Sequence, residues 1–229
     1  MVPSCLKSCS NCSRLAGRQS ASLDEVKDYI DQRQIKKLVH FTRSKNLNSI
    51  LNPSHGLLTQ QMLANVNKEV VDVERWDGYP NMICLSVSRP NYFMFKEKIN
   101  QYAQKTNDMS NPWCVLEICP CVLWNFHVNY FIANASSSRV KPLSGLVGLR
   151  EMFASKVLDW ERKSNEKPYL TTNRQAEVHV LPDDGRLPSD YIASIAFLND
   201  FNLTANSLLL DAAGIMGRVD PWHWHPDFR

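Results

Sequence analysis

Glycine is scarce in this chain, 8 residues in 229, and none falls into a G-x-G-x-x-G or a G-x-x-x-x-G-K-[ST] pattern. A dinucleotide-binding βαβ unit and a phosphate-binding P-loop are therefore excluded, since both need glycine where backbone amides close on phosphate. Long apolar runs are missing too: no stretch approaches the roughly 20 residues that span a bilayer. The opening MVPSCLKSCSNCSRLAG lacks the apolar core of a secretory signal. The expectation is a cytoplasmic protein with no membrane partner. Neither sign of charge dominates, because 26 Lys and Arg against 23 Asp and Glu leave a net charge of +3. That is too little to hold a protein on nucleic acid by charge alone, although a local basic groove is compatible with it. No internal repeat is present, which excludes a solenoid.

Seven cysteines, an odd number without an export signal, read as reduced thiols and not as a disulfide framework. Cys5, Cys9 and Cys12 form a C-x3-C-x2-C cluster that thiolate ligation of zinc or an iron-sulfur cluster would suit. A closed structural zinc site wants four ligands, however, and Cys114, Cys119 and Cys121 lie far along the chain in an apolar, strand-like segment. A Ser- and Cys-rich leader without a metal is the favoured reading.

What the chain does have is a hydrophobic fraction of 44%, enough for one large domain with extensions. Residues 1–34 read as an N-terminal extension with a short helix from Ser22, where Ser22 and Glu25 form a capping-box pattern. Residues 35–200 read as the main domain, and 201–229 as a C-terminal tail packed on it through Trp222 and Trp224. Within the main domain KKLVHFT, MICLSVS and IASIAFLND read as strands, and SKNLNSILN and RPNYFMFKEKINQYAQ as helices. WCVLEICPCVLW reads as a strand pair broken at Pro120, and residues 144–163 as a helix burying Leu146, Leu149, Phe153 and Val157.

Three strands share a pattern. His40 and Thr42 alternate with Val39 and Phe41; Cys84, Ser86 and Ser88 alternate with Ile83, Leu85 and Val87; Gln175, Glu177 and His179 alternate with Ala176, Val178 and Val180. Each pairs an apolar side with a polar one. Either the polar sides are solvated faces around a core histidine, or they open into one cleft where a carboxylate, an imidazole and hydroxyls converge.

His40, Phe41 and Thr42 followed by Asn46 and the SIL run, then RWDGYPNMICLSVSRPNYFMF, then Asn134, Ala135 and Ser136 after YFI, and finally NRQAEVHV, occur in that order from about Leu38 to Phe197. Together they resemble the DarT family of DNA ADP-ribosyltransferases, the toxins of DarT/DarG-type toxin-antitoxin systems. The resemblance implies an α+β fold of the ADP-ribosyltransferase type, a split antiparallel β-sheet sandwich flanked by helices, with residues 35–200 as the catalytic domain. It implies transfer of ADP-ribose from NAD, consumed as co-substrate without a metal, to a base in single-stranded DNA. Thymidine is the favoured base and guanosine the alternative. By the same resemblance Glu177 is the catalytic glutamate and Arg75 the catalytic arginine. His40, Thr42 and Asn46 hold the nicotinamide side of NAD, and Ser86, Ser88, Tyr92, Met94 and Phe95 line the same pocket. The loop into the catalytic strand reads the DNA, with Arg162, Lys163, Lys167 and Arg174 for phosphates and Tyr169 for stacking. The implied partners are single-stranded DNA and an antagonist of the macrodomain ADP-ribosylglycohydrolase type, in the setting of a toxin or phage-defence effector.

The chemistry suits these residue types. Cleaving the glycosidic bond of NAD develops oxocarbenium character on the ribose, which an anionic side chain stabilises, and the same carboxylate can accept a proton from the base. A protein-modifying ADP-ribosyltransferase would use the same glutamate. A non-enzymatic nucleic-acid-binding module organised by metal at Cys5, Cys9 and Cys12 is the alternative from another class.

Overall fold

The structure is a computed structural model, and it describes residues 21–63, 77–106 and 112–224. In chain order the main elements begin with helix α1 (Ala21–Gln32), strand β1 (Leu38–Arg43), helix α2 (Leu47–Ile50), strand β2 (Leu57–Leu58) and helix α3 (Gln60–Leu63). Strand β3 (Ile83–Val87), helix α4 (Tyr92–Thr106), strand β4 (Trp113–Ile118), helix α5 (Val122–Asn125) and strands β5 (His127–Phe131) and β6 (Leu143–Ser144) follow. The remainder comprises helix α6 (Gly145–Glu151), strands β7 (Lys156–Val157), β8 (Trp160–Glu161), β9 (Glu177–Leu181), β10 (Arg186–Leu187) and β11 (Ile192–Phe197), helix α7 (Asp200–Ala213) and strand β12 (Met216–Val219).

Eight strands form one sheet in the order β12-β11-β4-β1-β3-β9-β5-β6, antiparallel throughout except for the parallel β11/β12 pair. Strand β4 is buried along its whole length, as expected for a central strand covered on both faces. The sheet is uneven at its middle. β1 meets β4 over register pairs from Leu38/Ile118 to Arg43/Trp113, but meets β3 through Leu38/Val87 and Val39/Ser86 alone. Beyond those pairs the two half-sheets part, which is how the expected split antiparallel arrangement is realised. The α+β class follows from the same order of elements.

One face of the sheet carries the main core, where Leu38, Leu85, Leu116, Ile118, Val178, Val180 and Ile195 pack beneath α1, α2 and α6. On the opposite face Val39, Val115 and Ala196 pack with Phe95 of α4 and Trp113. Phe95 is 4.6 Å from Phe41 and 5.5 Å from Trp224 between ring centroids, so α4 and the C-terminal segment close on one aromatic cluster.

Three sequence expectations need correction. After Pro120 the chain makes the helical turn α5, with Leu123 N–H donating to Pro120 O at 2.9 Å, and no second strand. The helix expected over 144–163 ends at Glu151; Leu158 then adopts a left-handed φ of 53° and β7 pairs with β8. Leu149, Phe153 and Val157 are buried all the same, so apolar spacing marked the buried positions without fixing the backbone that buries them. The segment from residue 201, expected as an appended tail, supplies most of α7 and the parallel edge strand β12 of the main sheet. Trp222 does pack there, beneath the guanidinium of Arg89 at 4.4 Å from the ring centroid. Cys5, Cys9, Cys12 and His225 lie outside the described residues. No helix among the described residues is long and apolar enough to cross a membrane.

Candidate active site

The parting of β1 from β3 leaves a cleft, and a cavity of about 400 Å³ occupies it. Strand alternation alone would not bring His40 and Glu177 together. Register pairs Val39 with Ser86 and Cys84 with His179, so His40 and Thr42 share a side with Leu85 and Val87, not with Cys84, Ser86 and Glu177. They reach one cavity because β1, still paired with β4, has parted from β3 by residue 40, and its side chains flank the opening that β3 and β9 line from the other side. His40, Thr42, Asn46, Cys84, Ser86 and Glu177 all line it.

Glu177 is the first residue of β9 and is 6% exposed. Its Oε2 is 2.9 Å from His179 Nε2 and 3.2 Å from Cys84 Sγ. A carboxylate oxygen can only accept here, so His179 carries its proton on Nε2 and the Cys84 thiol donates. His179 is fully buried between Phe131, at 4.5 Å between centroids, and Tyr79 at 5.9 Å, and its Nε2 also lies 3.8 Å from Asp77 Oδ2. The imidazole therefore fixes the rotamer of Glu177 from behind while leaving the carboxylate on the cavity wall. Across the opening His40 Nδ1 donates to Cys84 O at 2.9 Å, and Asn46 Nδ2 donates to the Thr42 hydroxyl at 3.0 Å. These bonds tie β1 and the turn after it to the strand that carries Cys84.

A family model described as "ssDNA thymidine ADP-ribosyltransferase, DarT" matches residues 39–225. The chain belongs to the DarT family. A solved Thermus sp. 2.9 DarT in complex with NAD+ superposes with a TM-score of 0.60 at 14% identity, covering 84% of this chain and 98% of that one. The same Thermus protein in complex with ADP-ribosylated ssDNA gives 0.63 at 12% identity, with 84% and 97% covered. Thermosipho africanus DarTG in complex with ADP-ribose gives 0.59 at 14%, covering 82% of this chain and 51% of that one. At such identities the likeness is one of fold. No curated protein sequence matches the chain significantly.

On this DarT scaffold the expected pocket residues divide. Met94 joins the lining, but Ser88, Tyr92 and Phe95 are not among the residues that line the cavity. Ser88 is buried at a positive φ of 62°, with its N–H donating to Lys37 O, and Phe95 backs Phe41 from the aromatic cluster. Arg75 lies outside the described residues, whereas Leu63 and Asp77, on either side of residues 64–76, both line the cavity. Among the described residues Lys98 is the one lysine or arginine on its wall.

The loop ahead of β9 also divides. Arg162 donates to Leu170 O and Lys167 O, both at 2.7 Å, and burial pushes its pKa down, so it braces the loop from within. Lys163 and Lys167 are exposed, Tyr169 packs against the main core, and Arg174 lies near Arg89, whose pKa is lowered by burial first and by Arg174 second.

Several lining residues were absent from the expected set: Asp77, Asn91, Gln175 and, from the wall itself, Cys84. His179 behind it was absent as well. Cys84 and His179 had a signal, since both share the alternation of the motif residues. Asn91 had the weaker signal of a polar residue ahead of a helix; its Oδ1 accepts from Met94 N, and its buried Nδ2 has no partner among the described residues. An orphaned buried donor beside a cavity is a group that a water or a ligand oxygen can satisfy.

Proposed function

We propose that this chain transfers ADP-ribose from NAD to a ring nitrogen of a base, thymine in the first instance, in single-stranded DNA. The observation that carries the reading is the buried Glu177 carboxylate, held by His179 and Cys84 on the wall of the cleft between the half-sheets. NAD enters that cleft with its nicotinamide side against His40, Thr42 and Asn46. As the bond from the ribose C1′ to nicotinamide breaks, Glu177 stabilises the positive charge on the sugar. The base nitrogen then bonds to C1′, nicotinamide departs with the electrons of the old bond, and the proton of the base passes to Glu177. Fixed by a donor on each side, the carboxylate needs little reorganisation at the moment of transfer.

Arg75 is proposed as the cation facing the pyrophosphate or the carbonyl oxygen, a role its permanent planar charge suits. Support comes from the described residues that flank residues 64–76 in sequence, Leu63 and Asp77, both of which line the cavity. Lys163, Lys167 and Arg174 are proposed to meet DNA phosphates beside the entry to β9, and Arg162 to shape that loop. In the cell the reading is that of a cytoplasmic toxin whose modification a macrodomain-type partner removes.

The test is to incubate the protein with NAD and oligonucleotides containing a single thymidine, a single guanosine or neither, and to weigh the products. A mass gain of one ADP-ribose on the thymidine strand is expected. A gain on the guanosine strand alone would move the base assignment, and label on added protein without DNA labelling would overturn the DNA reading.

A further inference from the structure

We propose that Cys84, His179 and Glu177 form a binding site for a zinc-class divalent ion that occupies the catalytic wall as an inhibitor, not as a cofactor. The three side chains come from two paired strands, with Cys84 directly opposite His179 in the register. Their ligating atoms Sγ, Nε2 and a carboxylate oxygen all lie within 4.8 Å of one another, with 2.9 Å from Nε2 to Oε2 and 3.2 Å from Sγ to Oε2. Zinc bonds of about 2.0 to 2.3 Å in a tetrahedron place ligand atoms about 3.3 to 3.8 Å apart, so modest outward shifts would admit the ion.

The donor set selects the metal. A thiolate with an imidazole and one carboxylate favours zinc or cobalt over magnesium or calcium, which want oxygen. Three protein ligands leave a fourth position for water or for the cavity-lining Asp77, whose Oδ2 is 3.8 Å from the same His179 nitrogen. On binding, the Cys84 thiol and the Nε2–H must cede their hydrogen bonds to Glu177. The thiol proton passes to solvent, and His179 moves its proton to Nδ1. The buried Nδ1 has no partner among the described residues. Metal binding requires nothing of the transfer reaction; the inhibitory consequence rests on the proposed function. An ion on Glu177 neutralises the charge that reading assigns to the transition state.

The experiment titrates cobalt(II) into the full chain carrying Cys5→Ser, Cys9→Ser and Cys12→Ser, so that those thiols contribute nothing. It follows the thiolate-to-cobalt charge-transfer band, then displaces cobalt with zinc. One equivalent with a band is expected. Cys84→Ser or Cys84→Ala added to that background should abolish the band, and Glu177→Gln should weaken binding at least about tenfold while keeping it. No band in the background protein, or a band that survives removal of the Cys84 thiol in a variant with an unchanged circular dichroism spectrum, would overturn the site. Metal binding without DNA labelling by the metal-free protein would instead count against the function. DNA labelling by a protein that takes up no cobalt in the titration would count against this site alone.

Discussion

A carboxylate takes its role from its neighbours, and Glu177 has an imidazole and a thiol where an ordinary solvated strand would offer it water. The alternation of NRQAEVHV identified the strand and its polar side, and family resemblance singled out the glutamate. The fully buried His179 completes the arrangement as a core histidine whose partner is the glutamate on its own strand face. Asn91 offers a test at this scale. Asn91→Asp keeps the Oδ1 acceptor that serves Met94 N and favours the start of α4, while the buried Nδ2 donor is lost. The KM for NAD should rise about tenfold, the size of about 1 to 3 kcal/mol for a lost buried hydrogen bond. The melting temperature should move by a few degrees at most. An unchanged KM would mean that the amide nitrogen does not meet the substrate.

Elements hold that cavity open. The short β2/β10 pair forms part of its rim through Leu57 and Leu58, and Gly56 just before it has a φ of 67° and lies with Leu187 O in the space a Cβ would take. Gly56→Ala should cost about 1 to 2 kcal/mol from the left-handed backbone alone, and more from that contact, seen as a lower denaturant midpoint. Strand β12 depends on a different device. Glu117 of β4 is 4% exposed and accepts from Arg218 at 2.5 Å, His223 at 3.0 Å, Ser194 at 2.5 Å, and Lys37. Burial alone would raise its pKa, but the hydrogen bonds from His223, Arg218, Lys37 and Ser194 outweigh it and hold the carboxyl far below the usual range. Burial lowers the pKa of His223 from its ordinary 6.5. Both groups have folded values below their unfolded ones, so the unfolded chain takes up more protons on acidification. Stability should therefore fall first as pH drops through about 6.5, and further below about 4.5 as the unfolded Glu117 is protonated. Thermal melts from pH 7 to pH 4 should show this acid limb, and Glu117→Gln should flatten its lower part while reducing stability at pH 7. An acid limb unchanged by that substitution would remove Glu117 as its source. No sequence pattern announced this cluster, because its members are far apart in the chain and meet only once β12 joins the sheet. The helix α7 was more legible than its omission suggests: Asn199 caps Asn202 N, and Gly214 closes the helix at a φ of 64°.

At the scale of the molecule, function arises from a sheet that is continuous in hydrogen bonding at Leu38 and Val39 and open beyond them. Periodicity could suggest three strands with polar sides. It could not show that β1 presents its side to the cleft from the opposite face, because which edges pair, and for how long, depends on distant chain segments. The order of motifs supplied what spacing lacked. A cleft that binds NAD in the folded state alone should add about 2.7 kcal/mol at a hundredfold excess over Kd. That is about 5 to 10 °C in melting temperature for a chain of this size. Glu177→Gln protein, which should hold NAD without consuming it, is suited to that measurement, and no shift at saturating NAD would place the nucleotide elsewhere. The most direct measurement weighs a single-stranded, thymidine-containing oligonucleotide after incubation with NAD and either the unaltered protein or Glu177→Gln. The expected result is one added ADP-ribose with the unaltered protein and a rate at least about a hundredfold lower with the variant. Equal labelling by the two proteins would contradict the role of Glu177.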